Sequence, residues 1–365
     1  MKNLFSGIYK DKRVFLTGHT GFKGSWMALW LKQLGAEVYG YSLEPAYSPS
    51  HYKLLGLEVN ETIDDIRNYD RLSSAIKSFS PDIIIHMAAQ PLVRLSYREP
   101  VETFETNVMG TVNLLNACRG IDSIKAIVNI TTDKCYENRE WVWGYRENDP
   151  MGGHDPYSAS KGCAELVTSA YRNSFFNLEK YGKEHNILLS SVRAGNVIGG
   201  GDWSEDRLIP DIMKATNRGE EVIIRSPEST RPWQHVLEPL SGYLMLGQKL
   251  LEEKKEFAEA WNFGPTDEEA ITVHRVVESI KKSWTKVSYK LQPDSSNPHE
   301  ANLLKLDCSK AHMKLKWKGI WDTAETFEKT AVWYREYYEN KKIISEEHLN
   351  KYIHDAKNHK VLWAD

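Results

Sequence analysis

Thr17-Gly18-His19-Thr20-Gly21-Phe22-Lys23-Gly24 is the stretch on which the reading of this chain turns. The apolar run Val14-Phe15-Leu16 precedes it, and Trp26, Leu29, Trp30 and Leu34 follow at helical intervals. A strand, a glycine turn and a helix in that order form a cradle for a dinucleotide. Gly18 permits the tight turn, Gly21 lets backbone approach a pyrophosphate, and Gly24 lets helix and strand pack closely. Free amides at the helix start then face two phosphates. Residues 18–24, with His19, Thr20, Phe22 and Lys23 among them, are therefore assigned to the cofactor.

Outward from this turn the chain alternates short apolar runs with longer amphipathic segments, the cadence of an α/β fold. Strands are expected at 37–41, 83–87, 127–130 and 188–192, in a Rossmann-type parallel sheet with helices on both faces. Past Gly195 the pattern becomes glycine, proline and polar turns, with a short strand at 222–224. Helices are expected over 240–256, 271–284 and 323–339, the last with Phe327, Ala331, Tyr334 and Tyr338 on one face. A terminal helix carrying Ile343, Ile344, Leu349 and Ile353 should dock on the body. The expected division is an NAD-binding domain over 1–190, with return segments within 235–265, and a smaller, predominantly nucleotide-sugar-binding domain over 191–365.

Composition narrows the function. The 365 residues carry 47 Lys+Arg against 50 Asp+Glu, a formal net charge of -3, which argues against a nucleic-acid partner. No apolar run reaches the roughly 18 residues of a membrane span. The start of the chain has no signal-peptide core, so a soluble cytoplasmic protein is expected. Cys118, Cys135, Cys163 and Cys308 form no CxxC pair, and the 12 histidines contain no HExxH, so no metal is expected.

The reactive groups cluster later. Tyr157-Ser158-Ala159-Ser160-Lys161 places a phenol and an ammonium on one helical face. The cation favours phenolate, which can remove a hydroxyl proton while hydride leaves the same carbon. Thr131-Thr132-Asp133-Lys134 ends a preceding strand. Simple alcohol oxidation needs Tyr157, Lys161 and a hydroxyl such as Thr132. The added carboxylate of Asp133 and amine of Lys134 equip the site for eliminating water beside a carbonyl. His86-Met87-Ala88-Ala89-Gln90 ends another strand with small residues, where cofactor crosses the sheet edge. Ala88, Ala89 and Gln90 are assigned there. No acidic residue ends the second strand. Ser42 can bond a ribose hydroxyl without repelling a phosphate, so NADP stays open beside NAD at this point.

The glycine turn with the Tyr157 to Lys161 motif resembles the extended short-chain dehydrogenase/reductase superfamily. Within it, the 17–25 stretch, the Thr-Thr-Asp-Lys run, the run from Arg193 to Trp203 and Arg231-Pro232-Trp233-Gln234-His235-Val236 resemble the CDP-glucose 4,6-dehydratase family across roughly residues 8 to 335. Relatives acting on dTDP-glucose carry Asp-Glu where this chain has Asp133-Lys134. The resemblance implies NAD as cofactor, with Asp65 and Ile66 at the adenine. It implies CDP-D-glucose as substrate, held by Gln90, Arg94, Asn107, Asn196 and Arg231, the last an apt clamp for a diphosphate. The catalytic set is Thr132, Asp133, Lys134, Tyr157 and Lys161, and the setting is deoxysugar synthesis for bacterial surface polysaccharide. Cytosine selectivity comes from the resemblance alone. So does a homodimer or homotetramer, for which the Tyr157 helix and the helix around 111–117 offer surfaces.

Two other readings compete. A nucleotide-sugar epimerase or reductase would use the same glycine turn, Tyr157 and Lys161, but gives Asp133 and Lys134 no necessary task. A nucleotide-binding regulatory protein without turnover has no use for the complete Thr132, Tyr157 and Lys161 set.

Overall fold

The computed structural model describes residues 1–265, 271–292 and 303–365. In β1 (Arg13–Thr17) successive side chains point to opposite faces. Val14 and Leu16 enter the larger core with α1 (Phe22–Leu34), while Phe15 enters a second core with Leu72 and Ile76 of the helix Tyr69–Phe79. A strand buried on both faces carries apolar side chains toward both cores, which explains the run Val14-Phe15-Leu16. The same holds for Ile83-Ile84-Ile85 in β4 (Ile83–His86) and for β5 (Ala126–Ile130), whose one buried polar residue, Asn129, donates to the Thr168 hydroxyl at 2.7 Å.

With β2 (Glu37–Ser42), β3 (Asn60–Ile63) and β6 (Leu188–Ala194), these strands form a seven-stranded sheet. Its order is β3, β2, β1, β4, β5, β6 and then the strand Ala260–Phe263, all parallel. The strand order reverses at β1 and β4, where a doubly wound sheet opens a crevice at the strands' carboxyl ends. The glycine turn, Ala88 and the residues after β5 all lie at that end.

The helix expected over 240–256 is Leu237–Leu251. It ends early because the chain passes through Glu253 in left-handed conformation, φ 60°, into a 3-10 turn at Lys255–Phe257. The helix expected from 271 begins at Val273, with the Thr272 side chain capping the Arg275 amide. Helix Thr323–Asn340 buries Phe327, Ala331 and Tyr334, with Tyr338 packed at the edge. The terminal helix Ser345–Asn358 docks against α1: Trp30 lies 5.8 Å from Tyr352 and 5.5 Å from Trp363, ring centre to ring centre. Held between the sheet and this helix, α1 is apolar nearly all round. Among the described residues no helix is long and apolar enough to cross a membrane.

Candidate active site

Gly18 adopts φ 73°, and a Cβ on it would stand 2.7 Å from the Ala88 amide nitrogen. A Cβ on Gly24 would stand 2.0 Å from the Gly18 carbonyl oxygen, so α1 seats on the turn only without a side chain there. Thr20 ties the turn to the end of β2: its hydroxyl donates to the Leu43 carbonyl at 2.9 Å, so Ser42 is the donor in their 2.8 Å bond. Phe22 and Lys23 begin α1, and Gly21 is exposed where a pyrophosphate would approach. This backbone fits a dinucleotide. Burial lowers the Lys23 pKa to about 8, with Lys161 and Arg207 adding repulsion and Asp133 opposing them.

The His19 side chain is bonded within the protein. Its ring is fully buried over β2 and its Nε2 donates to Glu61 Oε2 at 2.6 Å. Gly40 makes the room: a Cβ there would meet the ring at 2.5 Å. Burial lowers the imidazole's pKa against the pull of Glu61, so near neutral pH the ring is uncharged. An acidic group therefore does stand beside the glycine turn, supplied by β3 through the register Gly40 to Glu61.

The candidate catalytic groups come from two elements. After β5, Thr132 caps the 3-10 turn Asp133–Cys135. The helix Pro156–Ser174 starts with Asp155 as cap, its carboxylate accepting from the Ser158 amide at 2.9 Å and the Ser158 hydroxyl at 2.6 Å. Tyr157 and Lys161 are buried. Thr132 donates to Asp133 Oδ1 at 3.0 Å. Burial raises Tyr157 to about 12, and Thr132 and then Arg207 pull it down. Lys161 turns Nζ toward the Ile130 carbonyl at 3.5 Å; burial lowers its pKa to about 8 while Glu165 holds it up. Burial also raises Asp133, against Lys134, Thr132 and Arg231, as suits a carboxylic acid that must give a proton. Lys134 is half-buried beside it.

The other assigned residues divide. Asn196, on the short strand Asn196–Ile198, pairs with Trp233, and Arg231 precedes that partner strand by two residues. A Cβ on Gly195 would lie 3.2 Å from Asp133 Oδ2 and 3.6 Å from Pro232, so both segments border the acid. Arg94 is half-exposed and pairs with Asp206 at 3.0 Å. Asp65 is gripped by Arg67, whose Nη2 stands 2.6 Å from Oδ2, and Ile66 is buried against Gly110.

The side chains of Gln90 and Asn107 are bonded within the protein. Asn107 accepts from the Gln90 amide at 2.8 Å and donates to the Gln90 carbonyl at 3.1 Å and Ser160 Oγ at 2.9 Å. The Gln90 side chain is used on Leu92 and Thr103. A π-helical turn at Glu105–Met109 puts Asn107 inside, so these two amides brace the β4 loop against the catalytic helix.

Residues 15–330 match the family model described as GDP-mannose 4,6 dehydratase. The chain belongs to that family. It is 54% identical over 350 residues to the CDP-glucose 4,6-dehydratase of Salmonella typhimurium, covering 95% of this chain and 97% of that protein. Among solved structures, the dTDP-glucose 4,6-dehydratase DesIV of Streptomyces venezuelae, with NAD and TYD bound, superposes with a TM-score of 0.74 at 22% identity, over 89% of this chain and 97% of the other. The UDP-glucose 4-epimerase of Thermus thermophilus in complex with NAD gives 0.74 at 24%, over 88% and 99%. Both share the Rossmann-type fold.

Within this family member's site, three charged residues escaped the sequence reading. Arg207 is drawn toward Tyr157 and anchored by buried Asp202 at 3.2 Å, 50 residues downstream in a loop with no periodicity to flag it. Glu61 sits on a strand of only four residues. Glu165 is different: it follows Lys161 by four residues, and that spacing on a helix already places it on the catalytic face.

Proposed function

We propose that the protein is an NAD-dependent CDP-glucose 4,6-dehydratase, a lyase converting CDP-D-glucose to CDP-4-dehydro-6-deoxy-D-glucose and water. The observation that carries this reading is near-full-length identity of 54% to an enzyme of that name, in a chain whose Asp133 and Lys134 stand beside Tyr157. Bound NAD would take hydride from carbon 4 of the glucosyl ring and return it to carbon 6. Tyr157, assisted by Thr132, takes the proton of the carbon 4 hydroxyl. The 4-ketone acidifies the carbon 5 hydrogen, which Lys134 would remove or relay while Asp133 protonates the departing carbon 6 hydroxyl; a proton returned to carbon 5 as hydride reaches carbon 6 completes the product. Arg231 and Asn196 border Asp133 and are the candidate contacts to the diphosphate and sugar, and Arg94 joins them by exchanging Asp206 for phosphate. An acidic side chain, Glu61, beside the turn disfavours a further phosphate and so favours NAD over NADP.

Residues 1–190, joined by the returning strand Ala260–Phe263, form the cofactor domain in this reading, and most of 191–365 holds the nucleotide sugar. Cytoplasmic location, assembly as a homodimer or homotetramer and a place in deoxysugar synthesis for lipopolysaccharide O-antigen belong to the same proposal. The test is incubation with CDP-, dTDP-, UDP- and GDP-hexoses, with products identified by mass and NMR. CDP-glucose deuterated at carbon 4 should give product labelled at carbon 6 without stoichiometric release of reduced cofactor. Interconversion of epimers with no loss of water would establish the epimerase reading instead.

A further inference from the structure

Beneath the catalytic turn lies a buried ion pair to which the reaction just proposed gives no task. Glu165 and Arg193 have side chains only 4% exposed, and the guanidinium Nη2 donates to Glu165 Oε2 at 2.8 Å. Each partner reaches a different flank of the turn Asp133–Cys135. On the amino side, Thr131 donates to Glu165 Oε1 at 2.5 Å. On the carboxyl side, Arg193 Nη1 donates to the Tyr136 phenol at 2.6 Å, with its guanidinium carbon 4.9 Å from the centre of that ring. The rest of the pair's bonding fixes it to the sheet and the far wall. Ser191 of β6 donates to Glu165 Oε2 at 2.7 Å, Arg193 Nη1 donates to the Glu147 carbonyl at 2.9 Å, and Tyr136 donates to Asn262 at 2.8 Å. Glu165 also stands one helical turn after Lys161, whose ammonium is bonded to the carbonyl of Ile130, next to Thr131.

We propose that Glu165 and Arg193 are positioning residues, clamping both flanks of the Thr132, Asp133 and Lys134 turn against the helix of Tyr157 and Lys161 so that the groups for hydride transfer and for elimination share one register. Placing two charges out of water is expensive, and such a pair is weak evidence for stability in itself. Its bonds here are spent on the two flanks of a reactive turn. Because the carboxylate also faces Lys161, and is the largest influence sustaining its charge against burial, its removal has a signature that loss of packing lacks.

The inference rests on the dehydratase reading, so wild-type turnover of CDP-glucose is established first, and one readout needs no substrate. In NAD-loaded protein, Glu165→Gln keeps the shape and removes the charge. Its kcat should fall about 10- to 100-fold, the scale on which misplacing catalytic groups is felt. The KM for nucleotide sugar should stay within about twofold. Lys161 should lose its charge at lower pH, so the alkaline limb of transient cofactor reduction should move toward acid by about half a pH unit or more. Thr131→Val and Arg193→Lys cut one flank each without removing the carboxylate; both should lower kcat and leave that limb in place. Should Glu165→Gln fold poorly, Thr131→Val carries the test of the clamp.

The substrate-free readout is the NMR titration of isotopically labelled Lys161 in NAD-loaded Glu165→Gln, expected to move to lower pH. If CDP-glucose is not turned over, the functional reading fails, and this titration still decides the inference. An unmoved Lys161, or activity in both Glu165→Gln and Thr131→Val that falls only with the folded fraction, would overturn it.

Discussion

Tyr157, on the helix Pro156–Ser174, and Asp133, on the turn after β5, are proposed to carry opposite halves of the chemistry. Tyr157→Phe removes the proton acceptor for the oxidation, so cofactor reduction in a single turnover should drop by about 10²- to 10⁴-fold while nucleotide-sugar binding persists. Asp133→Asn keeps the turn's shape and should let cofactor reduction proceed while release of water falls by a similar factor. Equal loss of both steps in Asp133→Asn would remove its role as the acid. At the glycine turn, Glu61→Gln should raise activity with NADP relative to NAD, because the repelling charge is gone and the neutral amide can still accept from His19. An unchanged ratio of kcat/KM for the two cofactors would place the discrimination elsewhere. These residues also show what a sequence conceals. Tyr157, Lys161 and Asp133 lie in short motifs whose chemistry is local. Glu61 acts at the turn only because β3 pairs with β2 in one register, and pairing register is a long-range property.

At the scale of elements, one capped helix and the capped turn after β5 carry the proposed reactive groups, so their end chemistry should be felt in rate as well as stability. Asp155 accepts both the amide and the hydroxyl of Ser158, one residue past Tyr157. Asp155→Ala should cost about 1 kcal/mol of stability, the ordinary worth of such a cap, and lower kcat more than it changes KM as the first turn frays. Calorimetry beside steady-state kinetics checks this; full kcat in the destabilised variant would show that the turn is held by the Ser96 bond to the Tyr157 amide instead. The apolar strands and Thr323–Asn340 were legible because a buried sheet and an amphipathic helix write their periods into the chain. The inward turn of Asn107 was not: it depends on a π-helical turn, which leaves no period to read.

The molecule as a whole is tied together at a buried carboxyl far from the chemistry. Glu238, at the start of Leu237–Leu251, accepts from the amides of Ile320 at 2.9 Å and Trp321 at 2.8 Å and from the Tyr352 phenol at 2.8 Å. It thereby joins the sheet-packed helix to the segment before Thr323–Asn340 and to the terminal helix. Burial raises its pKa to about 7 from an ordinary 4.5, outweighing the donors. In the folded chain the group holds its proton across that interval, whereas the unfolded chain has released it. Its contribution to stability is therefore full below about pH 4.5 and is lost as pH rises through about 7, a swing on the order of 3 kcal/mol. When protonated, the carboxyl donates to the Tyr352 oxygen, and Tyr352 can then turn to Ser241, 3.3 Å away. Glu238→Gln fixes that neutral state. The variant's unfolding temperature should thus gain on the wild type's between pH 5 and pH 8, while the reaction at carbon 4 is untouched. Parallel unfolding temperatures for the two proteins across this range would mean that Glu238 stays ionised in the fold, and that the three donors, not burial, decide its charge.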